Sequence, residues 1–400
     1  MKDTDGVEWP QITYERRPWD PPLDVPLSRR QRLAHRGPYM AAVAPEVAAT
    51  ELRLPSSIMA LAEDATQELA RFDAEARNMV APFTSILLRT ESASSSQIEN
   101  LTSSAKQVAL AELGLARSRN AEMVVATVKA TTAAVRLSEE IDEAAIIAMH
   151  AALLEGQQPA IVGQWRQEQV WIGGSGAGPH NADFVPPHHE LVPAAMGDLV
   201  RFMERDDLPY LPQIALAHAQ FETIHPFPDG NGRTGRALVQ ALLRQKGLTR
   251  SMTVPISAGL LSDVRSYFSA LTAYREGNAG PILTAFGNAA LEAVVNGRKL
   301  HSRIEEIDSQ WRSALAGVRA DAAAWKLLPW LLSHPVIDAR TAAEATQVSL
   351  PATYAAIDEL EKRDIVRPEK AGAKRNQVWL APALLAALDE FAERARRGRA

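Results

Sequence analysis

Cysteine is absent from the 400 residues. That removes disulfides, thiolate-held zinc, iron–sulfur clusters and cysteine nucleophiles together. A reducing compartment is the setting this fits. No stretch approaches the roughly 18 uninterrupted apolar residues that a membrane span requires. The segment Met1–Gln11 carries Asp3, Asp5 and Glu8 where an export signal would need apolar residues. A soluble, cytoplasmic chain with no membrane partner is therefore expected. Internal repeats and low-complexity tracts are missing too. So are a Walker A lysine loop and an H-E-x-x-H pair. The glycines between Gly173 and Gly178 lack G-x-G-x-x-G spacing, and Pro179-His180-Asn181 follows them in place of a helix.

What remains is ordinary globular material, 46% apolar and 23% charged, long enough for two to four domains at roughly 100–200 residues each. The first part is Pro-rich and reads as irregular, with Pro10, Pro18, Pro21, Pro22, Pro26, Pro38 and Pro45 breaking helices. Helical texture follows from Leu54 to Gly114. A second helix is expected from an N-cap at Ser138 to Gly156. Two β-prone segments around glycines, between Gln164 and Val185, read as a hairpin inside a helical protein. Beyond Gly317 the order is a helix Ala322–Ser333, a helix begun by a Thr341/Glu344 capping box, and a helix Ser349–Arg363. Two β-prone segments then flank the basic turn Lys370, Lys374 and Arg375, which is the order of a winged helix. The expected fold class is mainly α, with a small β-hairpin and a C-terminal winged helix-turn-helix.

One segment carries the chemistry: His225-Pro226-Phe227-Pro228-Asp229-Gly230-Asn231-Gly232-Arg233-Thr234-Gly235-Arg236. A helical run ends there and another begins. The prolines and glycines between them make a tight loop that offers backbone N–H groups and a helix dipole to an anion. Arg233 and Arg236 add forked phosphate donors on the first helical turn. Asp229 is a hard oxygen ligand suited to Mg²⁺ that already holds phosphate. His225, at the loop mouth, suits a general base. These residue types predict a triphosphate–Mg²⁺ site with a base beside it.

The segment resembles the signature of the Fic family, His-x-Phe-x-(Asp/Glu)-Gly-Asn-Gly-Arg-x-x-Arg, with no departure. The likeness extends over roughly 90–290, through Val162-Gly163-Gln164-Trp165-Arg166, Val185-Pro186-Pro187, Val254-Pro255, Arg265 and Tyr267. It implies a Fic-fold helical core and a nucleotidyltransferase that moves AMP from ATP to a Ser, Thr or Tyr hydroxyl of a target protein, or of itself. His225 would take the hydroxyl proton and Asp229 would hold Mg²⁺. Phe227, Gly230, Asn231, Gly232, Arg233 and Arg236 would bind ATP and its phosphates. Removal of AMP, or transfer of another phosphate-containing group, is an alternative on the same core.

Ser95, Glu99 and Asn100 resemble the family's inhibitory pattern (Ser/Thr)-x-x-x-Glu-(Gly/Asn), which implies that Glu99 pairs with Arg236 and keeps the γ-phosphate out. Read locally, Ser96 and Glu99 also make a capping box that would start a helix towards Gly114. The hairpin residues Val170, Trp171, Ile172, Phe184 and Val185 resemble the family's flap, which implies that they dock the target segment. His188-His189 reads as a surface pair and His218 as a helix-face residue. The last 40 residues carry ten Lys and Arg against six acids, net +4, leaving −9 on the remainder. Basic wing residues suit phosphate contact. Asp358, Glu359 and Glu361 in the recognition-helix position favour protein docking or a homodimer over DNA. A DNA-binding regulator is the alternative of another class. The expected organisation is an N-terminal helical region 1–125 holding the inhibitory segment 95–100, a catalytic core 126–300, and a winged-helix domain 318–400.

Overall fold

The computed structural model describes residues 6–21, 26–76, 83–155, 161–174, 178–370 and 377–397. The basic-turn residues Lys374 and Arg375 lie outside them. Within them the chain is mainly helical. It opens with β1 (Thr13–Arg17), α1 (Arg29–Ala34) and β2 (Tyr39–Val43), followed by α2 (Ser56–Ala76), α3 (Phe83–Ile98), α4 (Ala105–Glu112) and α5 (Arg119–Arg136). Next come α6 (Glu143–Leu154), α7 (Val192–Glu204), α8 (Tyr210–Ile224), α9 (Asn231–Gln245), α10 (Ile256–Ser262) and α11 (Val264–Arg275). The last part is α12 (Gly280–Ala314), α13 (Ala323–Ser333), β3 (Val336–Asp338), α14 (Ala339–Thr346), α15 (Leu350–Glu361), β4 (Arg367–Pro368), β5 (Val378–Leu380) and α16 (Pro382–Arg397). No described helix is long and apolar enough to cross a membrane.

The chain forms two compact units, one of residues 1–65, 130–246 and 265–287, the other of 66–129, 247–264 and 288–400. In the first, α8 is buried from Leu211 to Ile224 and α9 from Arg233 to Leu243. A helix buried on every side needs small residues where neighbours approach, and Ala215, Ala217 and Ala219 supply them in α8. Helix α6 begins at Asp142, whose carboxylate accepts from the Ala145 N–H at 2.7 Å. This cap replaces the expected Ser138, whose hydroxyl instead donates to Val135 at 2.8 Å and closes α5. The Pro-rich start is less irregular than its composition suggests: β1 and β2 pair antiparallel, Thr13 opposite Val43 and Arg17 opposite Tyr39.

In the second unit β3, β5 and β4 form an antiparallel sheet in that spatial order. Its inner side packs Val336, Val378 and Leu380 on Ala109 and Leu110 of α4. Glu369, beside β4, is gripped by Arg117 at 2.8 and 3.0 Å and by Lys106 at 3.0 Å. The N-cap of α14 is Asp338, which accepts from the Arg340 and Thr341 amides at 2.9 Å. The expected Thr341 cap is displaced because an aspartate three residues earlier starts the helix first, and the Thr341 hydroxyl, already inside the first turn, donates to that aspartate at 2.5 Å. The Ser96–Glu99 start is also overturned. Ser96 lies near the end of α3, its hydroxyl on the Ser92 carbonyl at 2.9 Å, and the next helix begins at Ala105 behind Ser104.

Candidate active site

The loop 225–230 joins α8 to α9 in the first unit. Its first residue, His225, closes α8 in the left-handed conformation (φ 52°, ψ 63°), its N–H bonded to the Phe221 carbonyl at 2.9 Å. Asn231 locks the turn from within. Its side chain accepts from the Phe227 N–H at 2.8 Å and donates to the Phe227 carbonyl at 2.7 Å. Asp229 accepts from the Gly230 N–H at 2.7 Å. Gly230 (φ +78°) is the left-handed entry to α9, and a Cβ there would stand 2.7 Å from Leu153 Cδ2. The loop therefore brings the N-terminal turn of a fifteen-residue helix to one point, the end of the helix dipole that favours an anion.

Around that point the expected residues come together. Arg233 and Arg236 are buried, 3% and 2% exposed, on the first turns of α9. Arg233 Nη2 lies 3.8 Å from Asp229 Oδ1. Asp229 keeps 47% of its side chain exposed, and among the described residues no group of three or more acids and histidines gathers as a metal cage. One exposed carboxylate fits Mg²⁺ that keeps most of its waters and takes phosphate oxygens. The Phe227 ring is wholly buried against His150, Trp165 and Phe221, and so anchors the loop.

His225 Nδ1 is buried, makes no hydrogen bond, and faces the Glu222 carboxylate at 4.0 Å. Burial and the positive charges of Arg166 and Arg275 push its pKa down to about 3, with Glu222 and Asp229 opposing. About 19% of the side chain stays open to solvent, which moderates the desolvation. The imidazole is neutral at pH 7 either way. Behind the site, His218 shares a 2.7 Å hydrogen bond with the Tyr267 hydroxyl, and burial drops its pKa to about 3. Gly235 lets α9 approach α8, since a Cβ there would meet Glu222 Oε1 and the Phe221 ring at 2.9 Å.

Three contributors were not assigned a role from the sequence. Arg166 donates to the His225 carbonyl at 2.8 Å. His150 stacks on Phe227 and reaches the Asp229 carbonyl. Arg275 lies over the Phe184 ring, 3.7 Å from its centroid, with Nη2 on the Glu222 carbonyl at 3.4 Å. The Trp165-Arg166 dipeptide was the only signal available for any of them.

The expected hairpin is reduced to one bridge, Ile172 with Phe184. Val170, Trp171 and Ile172 are half-buried, and Phe184 and Val185 are buried. The Val185 carbonyl accepts from the Ala42 N–H at 3.0 Å, so β2 of this chain covers that edge. Phe184 packs with Ile12 and Ala42. In the other unit, Ser95 is buried and Glu99 and Asn100 are exposed at the end of α3. Asn100 is left-handed (φ 61°), with the Leu101 N–H on the Ser96 carbonyl at 3.0 Å and its own on Gln97 at 2.9 Å. This is the paired C-terminal closure that Gly or Asn makes, which explains the residue after Glu99.

Comparison with known proteins places this geometry. The Fic/DOC family model matches residues 140–243, and the Fic/DOC family N-terminal model matches 59–136. A probable protein adenylyltransferase of Aquifex aeolicus is 33% identical over 127 residues, 31% of this chain and 34% of that protein. Protein adenylyltransferase Fic of Nematostella vectensis is 34% identical over 116 residues, 28% of this chain and 25% of that one. The chain thus spans about a quarter to a third of the length of these relatives. A crystal structure of a Fic family protein from Desulfovibrio desulfuricans G20 shares the fold, with a TM-score of 0.53 and 21% identity over 85% of this chain and 98% of that one. Both Fic/DOC family models thus match, on consecutive stretches, the part of the chain that holds the full signature from His225 to Arg236.

Proposed function

We propose that this chain is a protein adenylyltransferase, moving AMP from ATP to a hydroxyl of a protein and releasing pyrophosphate. The observation that carries the reading is the convergence of a neutral histidine, a helix N-terminus, two buried arginines and an exposed aspartate within twelve residues. The relatives named as adenylyltransferases support the reaction class.

The target hydroxyl oxygen forms a bond to the α-phosphorus, and the bond from that phosphorus to the bridging oxygen of pyrophosphate breaks. The hydroxyl proton goes to His225. Its buried Nδ1, facing Glu222, suits the protonated position of the resting tautomer, which leaves Nε2 as the acceptor. The amides at Gly232 and Arg233 and the two guanidinium groups hold the triphosphate in line and oppose its charge. Asp229 would hold Mg²⁺, which supplies charge neutralisation on the phosphates. A triphosphate also counters the field of Arg166 and Arg275, and so raises the His225 pKa towards a useful range in the complex.

Glu99 is proposed as a brake on this reaction, on the strength of the Ser95, Glu99, Asn100 pattern. The C-terminal module is proposed to serve docking rather than DNA reading. Support comes from Glu369, held by Lys106 and Arg117, and from the sheet packed on α4, which occupy one side of the module. The test is incubation of wild type, Glu99→Gly and His225→Ala with α-labelled ATP in lysate. Labelling that rises in Glu99→Gly and vanishes in His225→Ala is expected. A folded Glu99→Gly chain that labels neither itself nor any protein overturns the reading.

A further inference from the structure

Four described non-glycine residues are left-handed: Asn100, His225, Gln347 and Asp364. Each follows a helix, and three are closed in the same way. The residue after each donates its N–H back into the helix: Leu101 to Ser96 at 3.0 Å, Val348 to Ala343 at 3.1 Å, and Ile365 to Leu360 at 3.0 Å. His225 has no such closure, because the next residue is Pro226, which has no N–H to give. A strained backbone is thus left without its usual second bond at the one residue whose orientation the proposed chemistry depends on.

Arg166, from 59 residues upstream, instead ties down the last carbonyls of this helix end. Its Nε donates to the His225 carbonyl at 2.8 Å and its Nη2 to Ile224 at 3.5 Å, while its own backbone N–H donates to Pro226 at 2.9 Å. Nη1 reaches the Glu168 carbonyl at 3.0 Å, and Nη2 also donates to the Pro187 carbonyl. The side chain is 2% exposed, and its four hydrogen bonds all go to backbone carbonyls rather than to a carboxylate. A buried guanidinium is expensive unless its donors are met. Here they are met by the carbonyls of Ile224, His225 and Glu168 and by that of Pro187 in the segment that leaves the flap. A cation at the C-terminus of α8 also sits at the favourable end of the helix dipole. Next to it, Gln169 bridges the Tyr39 hydroxyl at 2.8 Å to the Pro186 carbonyl at 3.0 Å, which extends the same tie to β2.

We propose that Arg166 is the positioning residue of this site: where Pro226 forbids the second helix closure, it ties down the Ile224 and His225 carbonyls, holds His225 left-handed, and fixes it in register with the flap at Pro187. The inference rests on the reading of His225 as the base, and its test has one arm that does not need activity. In that arm, hydrogen exchange is compared for the full-length wild type, Arg166→Met and Arg166→Lys. Amides of 222–230 and of 184–185 exchange about tenfold faster in Arg166→Met, while α6 and the body of α9 keep their protection. In the second arm, carried on the Glu99→Gly chain, kcat falls about 10²-fold while ATP affinity changes less than about threefold, and Arg166→Lys recovers part of the rate. A folded Arg166→Met with unchanged exchange at 222–230 overturns the proposal, as does one with unchanged kcat. Should Arg166→Met not fold, Arg166→Lys decides: one ammonium cannot serve four carbonyls, so wild-type exchange in it sinks the idea. Absence of transfer in Glu99→Gly itself counts against the enzyme reading, and the exchange arm still judges Arg166.

Discussion

His150 lies flat on Phe227: the ring centroids are 3.7 Å apart, the planes 2° from parallel, and Nε2 is 3.1 Å from the Asp229 carbonyl. A carbonyl only accepts, so Nε2 carries the proton and the ring is neutral. Burial holds its pKa down to about 4. One buried histidine thereby supports two positions of the catalytic loop, 77 and 79 residues away in the chain. Replacing His150 by Phe keeps the stacking and removes the bond to Asp229. A loss of about 1 kcal/mol in urea unfolding is expected, with a larger proportional loss of transfer. Phe227→Ala empties the stack and should cost about 3–5 kcal/mol.

Acid stability follows from the same burial. His150 and His218 have folded pKa values of about 4 and about 3, below the roughly 6.5 of an unfolded chain. Above pH 6.5 both states are neutral and nothing is gained or lost. As pH falls below 6.5 the unfolded chain binds the protons first, so stability drops by up to about 1.4 kcal/mol per pH unit for each histidine. Thermal unfolding between pH 7 and pH 4.5 measures this, and a flat Tm across that window contradicts it. The slope should shrink in His150→Phe.

The base has a pH signature of its own. In the free protein burial, with Arg166 and Arg275, holds the His225 pKa well below 6.5, so the neutral form persists into acid. Bound triphosphate adds negative charge and raises it. The acid limb of kcat/KM, which reports the free protein, is therefore expected at lower pH than the limb of kcat, which reports the complex. Equal limbs, or the reverse order, contradict the assignment of His225 as the group being titrated.

Gly230 tests the loop without touching its chemistry. Alanine there is strained twice, by φ +78° and by the 2.7 Å approach of its Cβ to Leu153 Cδ2. A loss of about 1–3 kcal/mol is expected, together with weaker ATP binding, because the amides at the start of α9 are displaced. Adding Leu153→Ala relieves the clash but not the dihedral strain, so ATP affinity should recover only in part. Full recovery by calorimetry shows that the strain is unimportant.

Much of the site was legible in the chain because it is local. Pro226, Pro228, Gly230 and Gly232 interrupt two helical runs, and the residues that would hold phosphate stand within one turn of that interruption. Boundaries were less legible where two caps compete within a few residues: Asp142 took the place assigned to Ser138, and Asp338 that of Thr341. The β1–β2 pair was hidden by prolines, all of which fall outside its two strands.

By itself, then, the sequence determined that α8 ends at the loop opened by His225, that α9 begins just beyond it, and that a carboxylate and two arginines stand at that start. Those features depend on backbone geometry and neighbours within a few residues. Only the tertiary structure decided how His225 is held, because a proline removed the local closure and left the task to donors from elsewhere in the chain. Arg166 and His150 reach the loop, and Arg275 the last turn of α8, from 59, 79 and 53 residues away. Their bonds go to backbone carbonyls, which every residue has. No pattern of side-chain types could announce that pairing before the helices packed and brought these groups within hydrogen-bonding reach.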